Sequence, residues 1–226
     1  MLNLFSEKNL LKIIKPGLYL ALLTPFLAIQ KFMFPFITSK VFFFNILIEV
    51  LFACWIALVI FYPAYRPRFT SILQSLTLFI GLVFISSVFG ADFGRSFWST
   101  QERAIGLFSI LHFFAFFLIF SVFTKEDWKK YLKFSVLASV IMSIFAILQL
   151  YNPNLVLKNS GLVVDRPGSF LGNSAFLASY LIFNIFLSFW LAFKGFVERN
   201  ENKLLNILFL SAGLFETAIL VFLTET

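Results

Sequence analysis

Polar residues in this chain gather in short clusters, and the stretches between them are almost wholly apolar for about 20 residues at a time. At a rise of about 1.5 Å per residue, such a stretch crosses a hydrocarbon core of about 30 Å. Seven stretches qualify: residues 18–36, 41–62, 71–89, 104–123, 131–151, 174–193 and 204–223. The first contains Pro25, Lys31 and Pro35, so a kink or a start nearer Leu11 is expected there. No small-residue cleavage site follows a short apolar core, and the segment therefore reads as a retained helix and not as a removable signal peptide. The pattern predicts an all-α fold, a polytopic transmembrane bundle of about seven spans forming one domain over residues 1–226. Outward loops are expected at about 90–103 and 152–173, with no soluble domain and no internal repeat.

Composition agrees with the pattern: the chain is 60% hydrophobic and only 13% charged, with 35 Phe and a mean hydropathy of +0.93, well outside the soluble range. A net charge of +7 raises nucleic acid as a partner, but the bases are spread through connectors and not clustered on one face. Nucleic acid is therefore excluded, and the charges report topology instead. The single cysteine, Cys54, lies in an apolar run, so no disulfide framework or thiol cluster is expected.

Positively charged connectors are retained on the cytoplasmic side. With the N-terminus inside, Lys8, Lys12, Lys15, Arg66, Arg68, Lys125, Lys129, Lys130, Lys133, Lys194, Arg199 and Lys203 are cytoplasmic, which is twelve of the eighteen. Lys31, Lys40, Arg95, Arg103, Lys158 and Arg166 are outward, which is six. This split predicts N-terminus in and C-terminus out. Two polar segments then face outward, "GADFGRSFWSTQERAIG" at 90–106 and "DRPGSFLGNSAFLASYL" at 165–181.

The second segment can be read physically. Asn173 precedes an unbroken apolar run and suits an N-cap. Gly168 and Gly172 permit close approach of backbone to backbone or to a ligand, and Pro167 stiffens the chain after Arg166. A helix N-terminus with an Arg beside it suits an anion such as a diphosphate. The plainer alternative is a capped helix start whose Arg166 pairs with Asp165 and touches lipid headgroups. Arg103 falls at the first turn of the fourth span, where the helix dipole disfavours a cation. Either Glu102 or a substrate phosphate holds it there, or it is an interfacial Arg beside Trp98 in the aromatic belt. Arg103 and Arg166 together are expected to form one anion site.

Fewer polar residues lie within the spans. His112 reads as a packing residue two turns into the fourth span and not as a general base. Glu49 and Glu216 each sit about two turns from an outward helix end, while Asn184 continues a stripe with Asn173, Leu177 and Tyr180. Either Glu lines a lipid groove or is a protonated acid bonded to a neighbouring helix. No metal is expected, because the chain has no His cluster and no Asp-x-Asp element.

The segments "FWSTQERAIGLFSILHFFAFF" and "RPGSFLGNSAFLASYL" resemble the O-antigen ligase and polymerase family, the Wzy/WaaL type, over about residues 90–193. The chain departs from that family at Gly172-Asn173-Ser174-Ala175, where Gly-Asn-Pro-Asn is usual, and in the compressed Arg166-Pro167-Gly168. The resemblance implies glycan transfer from an undecaprenyl diphosphate carrier to an acceptor hydroxyl on lipid A-core, a growing polysaccharide or a protein. The expected place is the outer face of the bacterial plasma (inner) membrane, among membrane lipids and without a cofactor. It implies that Arg103 and Arg166 bind the substrate diphosphate, supported by Glu102, Gly168, Gly172, Asn173 and Tyr180. The family's general base is a His in a large outward loop, expected here beyond Thr226, so the chain reads as an N-terminal portion without a complete active site. A polytopic transporter or a non-catalytic membrane protein is the alternative. A transporter predicts helices broken near the midplane, whereas the Gly and Pro breaks here gather at the outward ends of spans four and six.

Overall fold

The computed structural model describes residues 5–100, 102–156, 167–198 and 202–225. Its helices are α1 (Glu7–Leu22), α2 (Thr38–Phe61), α3 (Ser71–Val88), α4 (Phe93–Trp98), α5 (Leu107–Ser121), α6 (Lys125–Tyr151), α7 (Ser174–Glu198) and α8 (Lys203–Glu225). Short 3₁₀ turns fall at Thr24–Phe26, Pro63–Tyr65 and Ser169–Leu171, and no strand occurs among the described residues. The fold is all-α. Five helices, α2, α3, α6, α7 and α8, are long and apolar enough to cross a membrane. The chain is a multi-pass membrane protein on that ground. With 16 and 15 residues, α1 and α5 reach only about 24 and 22 Å, short of a core of about 30 Å.

Two of the expected spans need correction. The helix expected over 18–36, with a kink or a start nearer Leu11 as the alternative, starts still earlier, at Glu7, behind Ser6, whose Oγ accepts from Asn9 N at 3.3 Å, and it stops at Leu22. Hydropathy is blind to the cause: Pro25 and Pro35 lack an N–H and bias the residue before them away from helix, so the apolar chain between them is not α-helical. The fourth expected span opens at Leu107 and not at Ala104, because Ala104 has φ 51° and Gly106 is the N-cap.

Burial differs from that of a soluble protein, in that polar groups share an otherwise apolar interior and large apolar side chains cover the outside. Ser139, Ser143, Ser188 and Glu216 have no exposed surface, while Ile72, Phe89, Phe183 and Phe186 are largely exposed. Water would penalise such an apolar surface. A bilayer solvates it, and the polar groups must then satisfy one another inside.

The chain forms two compact units, one of Met1–Thr24 with Phe32–Lys125, the other of Pro25–Lys31 with Glu126–Thr226. In the first, α1 and α2 make an antiparallel hairpin. Its open end is tied by Glu7 N to Tyr62 Oη at 3.0 Å and by Tyr65 Oη to Glu7 Oε1 at 2.8 Å. Gly17 lets the helices close up, since a Cβ there would stand 2.9 Å from Leu51 Cδ1. On its other flank α2 meets α5 through Phe44, whose ring lies 5.0 Å from Phe113 and 5.8 Å from Phe116. In the second unit, α7 and α8 pack along their lengths, with Gly195 receiving Asn206 and Gly213 receiving Ser188. Helix α6 completes the core, placing Met142 and Ala146 against Leu177, Leu181 and Ile185, and Val136 against Leu191, Ala192 and Phe209.

Candidate functional site

The most developed site in the first unit is built from α2 and α5. Asn45 and Glu49 stand one turn apart on α2, and Ser109 and His112 stand one turn apart on α5, so each pair shares a helix face. Packing joins the pairs: Asn45 Nδ2 is 3.5 Å from Ser109 Oγ, and His112 Nε2 is 3.2 Å from Glu49 Oε1. His112 Nδ1 lies 2.7 Å from Phe108 O. A carbonyl only accepts, so Nδ1 carries a proton and Nε2 is the atom that meets the carboxyl group.

The chain ahead of α5 closes over this contact. Asp92 caps α4 by accepting from Arg95 N at 2.9 Å, and the chain then turns back through residues 99–106. Ser99 has φ 64° and Ala104 has φ 51°, in a region that L-residues rarely occupy. Gly106 is required by crowding, because a Cβ there would stand 2.8 Å from Ser99 N. Trp98 and Phe108 meet with ring centroids 4.9 Å apart. Between this loop and α2 lies a groove of about 610 Å³, lined mainly by apolar and aromatic side chains such as Phe42, Ile46, Trp98 and Phe108. Thr38, Asn45, Glu49 and Ser109 supply polar lining.

Arg103 stands in this loop, exposed, with its backbone N donating to Thr100 Oγ1 at 3.4 Å. It is not in the first turn of a helix, as expected, but four residues before α5, so the argument from an unfavourable dipole lapses. Glu102 is also exposed, and among the described residues no ion pair joins it to Arg103.

The second polar segment lies in the other unit. Arg166, Asp165 and Lys158 lie outside the described residues, and with them the expected pairing of Arg166 with Arg103. Asn173 is the N-cap of α7: its Oδ1 accepts from Ala175 N at 2.7 Å. The two glycines serve the turn itself. Gly172 has φ 72°, and a Cβ on Gly168 would stand 2.7 Å from Gly172 C. Ser169, which sequence reasoning passed over, is the anchor. Fully buried, it donates from N to Gln149 Oε1 at 2.8 Å and from Oγ to Met142 O at 2.9 Å. Its signal was a lone hydroxyl between Gly168 and Phe170 at the start of an apolar helix.

Along α7, Tyr180 is half-buried and its carbonyl accepts from Asn184 Nδ2 at 3.0 Å, while Asn184 Oδ1 accepts from Ser135 Oγ at 2.9 Å. Glu216 is fully buried and bonded to the Ser139 hydroxyl on α6. Its Oε2 and the hydroxyls of Ser143 and Ser188 have no hydrogen-bond partner among the described residues. No group of three or more His, Cys, Asp or Glu among the described residues could hold a metal ion. The Glu49–His112 pair was also missed as a pair, although an intramembrane acid and the chain's single His are natural partners.

Fold and site together define a multi-pass helical membrane protein with an aromatic-lined groove ending on a Glu–His pair. No family model, curated protein or solved structure matches the chain.

Proposed function

We propose that this chain handles a lipid-linked glycan at the outer face of a bacterial inner membrane. It serves transfer from an undecaprenyl diphosphate carrier to an acceptor hydroxyl on lipid A-core, a growing polysaccharide or a protein. The observation that carries the reading is the course of residues 97–106, the segment with the first Wzy/WaaL-like motif. That segment covers the N-terminal half of α2 and forms with it an apolar groove of about 610 Å³, a volume within the range of small-ligand sites. Arg103 stands between two groove-lining residues, Thr100 and Ala104. In this reading α1 and α5 complete seven membrane segments, and the twelve-to-six charge split puts the N-terminus in the cytoplasm. Arg103 and Arg166 take the diphosphate, whose developing charge a guanidinium stabilises as the glycan leaves. Glu102, Gly168, Gly172, Asn173 and Tyr180 support them.

The test is photo-crosslinking of the purified chain in nanodiscs with a diazirine-bearing polyprenyl diphosphate. Saturable adducts on residues 97–108, around Arg103, competed by unlabelled undecaprenyl diphosphate, are expected. Adducts that neither saturate nor compete would sink the reading.

A transporter is the second reading, and one observation favours it: fully buried Glu216 with the unpartnered hydroxyls of Ser143 and Ser188 makes a polar seam through α6, α7 and α8. Against it, all three helices run unbroken for 27, 25 and 23 residues.

A further inference from the structure

Between α2 and α5 the groove ends on groups that accept hydrogen bonds. Ser109 commits its hydroxyl proton to Ala104 O at 2.8 Å, so its contact with Asn45 must be received from Nδ2. That assignment leaves Asn45 Oδ1, a buried acceptor, without a partner among the described residues. One turn along, Glu49 lines the same groove with its side chain 56% exposed and one oxygen held at His112. Because His112 Nδ1 donates to Phe108 O, Nε2 is the ring atom turned toward the Glu49 carboxyl group. Among the described residues no further ion pair is made by either one.

Such a surface selects its ligand. At the Asn45 and Glu49 end of the groove an anionic phosphate faces acceptor oxygens and is disfavoured. A neutral hydroxyl fits, because it supplies the donor that Asn45 Oδ1 lacks while Phe42, Ile46 and Trp98 cover an apolar tail. We infer that the groove seats an amphipathic molecule by a hydroxyl-bearing headgroup, which donates to both Asn45 Oδ1 and Glu49. That this hydroxyl belongs to the acceptor in glycan transfer rests on the reading above; the preference for an uncharged donor does not.

His112 is the chain's only histidine, so the full chain labelled with ¹⁵N-histidine in nanodiscs gives one imidazole spectrum. Octyl glucoside and octyl phosphate share a tail and differ in headgroup. Octyl glucoside is expected to shift the Nε2 resonance saturably, with octyl phosphate binding at least about tenfold more weakly, a difference of about 1.4 kcal/mol. Glu49→Leu, and Ile46→Trp, which fills the groove beside the pair, both lose the response while keeping their far-UV spectrum. A stronger shift with octyl phosphate overturns the hydroxyl assignment and leaves the lipid-diphosphate reading standing. No saturable shift with octyl glucoside in the folded wild type, or an undiminished one in Glu49→Leu, also overturns it.

Discussion

Gln149 and Ser169, 20 residues apart in the chain, meet in a buried hydrogen bond of 2.8 Å that fixes the turn before α7 onto α6. The donor is a backbone N–H with no water to fall back on. Gln149→Leu leaves it unpaired, which costs about 1–3 kcal/mol, whereas Ser169→Ala removes a hydroxyl whose acceptor is a helix carbonyl and costs about 1 kcal/mol. Heat-induced unfolding in detergent, followed by far-UV circular dichroism, should show the larger drop for Gln149→Leu. An unchanged midpoint contradicts the anchor.

The fit of Gly195 to Asn206 gives a coupled pair. Gly195→Val overpacks the α7–α8 seam and destabilises by about 1–3 kcal/mol. Adding Asn206→Ala makes room and recovers more than half of the loss, a coupling that a double-mutant cycle reads directly. Simple additivity of the two changes would contradict the packing.

Glu216, buried against Ser139, should tolerate Gln and reject Lys. The amide keeps the bond to the hydroxyl, while an ammonium there is a buried charge without a partner, worth about 3–5 kcal/mol of destabilisation. Monodispersity of the two variants after membrane extraction separates these outcomes. Equal yields of folded protein would count against full burial.

Orientation is read by single-cysteine labelling in a Cys54→Ser background. Cysteines replacing Arg103 and Arg166 should react with a membrane-impermeant maleimide added to intact cells, and one replacing Lys129 should not. Labelling at 129 alone reverses the topology and moves the proposed chemistry to the cytoplasm.

The roles proposed for the two arginines are tested by transfer from a lipid-diphosphate donor, assayed in a protein that carries this chain together with the general base. Arg103→Ala and Arg166→Ala are each expected to lose about 10²–10³-fold, as for removal of other groups that stabilise transition-state charge. Lys should rescue poorly, since it lacks the planar fork, and Lys158→Ala should matter little. Near-normal transfer by Arg166→Ala removes that residue from the site.

What was legible in the sequence was local. Asn173 could be read as a cap because the capping bond spans only two residues, and α2, α3, α6, α7 and α8 because each is an apolar run between polar clusters. The region around Pro25 and Pro35 was misread because hydropathy counts apolar side chains and not backbone donors. Gly168 and Gly172 looked equally fit for a ligand and for a turn, and only the crowding against residues 172 and 173 decides for the turn. Glu49 and His112 lie 63 residues apart, and their meeting depends on how α2 packs on α5, which no local pattern encodes.

In the proposed reading, where α5 is one of seven membrane segments, its brevity bears on how a lipid arrives. At about 22 Å it falls some 8 Å short of an average hydrocarbon slab. A bilayer meets such a shortfall by dimpling, at a cost of a fraction of a kcal/mol per Å. Headgroups drawn down into that dimple stand closer to the level of Asn45 and Glu49. A bulky lipid can then slide in sideways from its own leaflet, without first climbing into water and descending again.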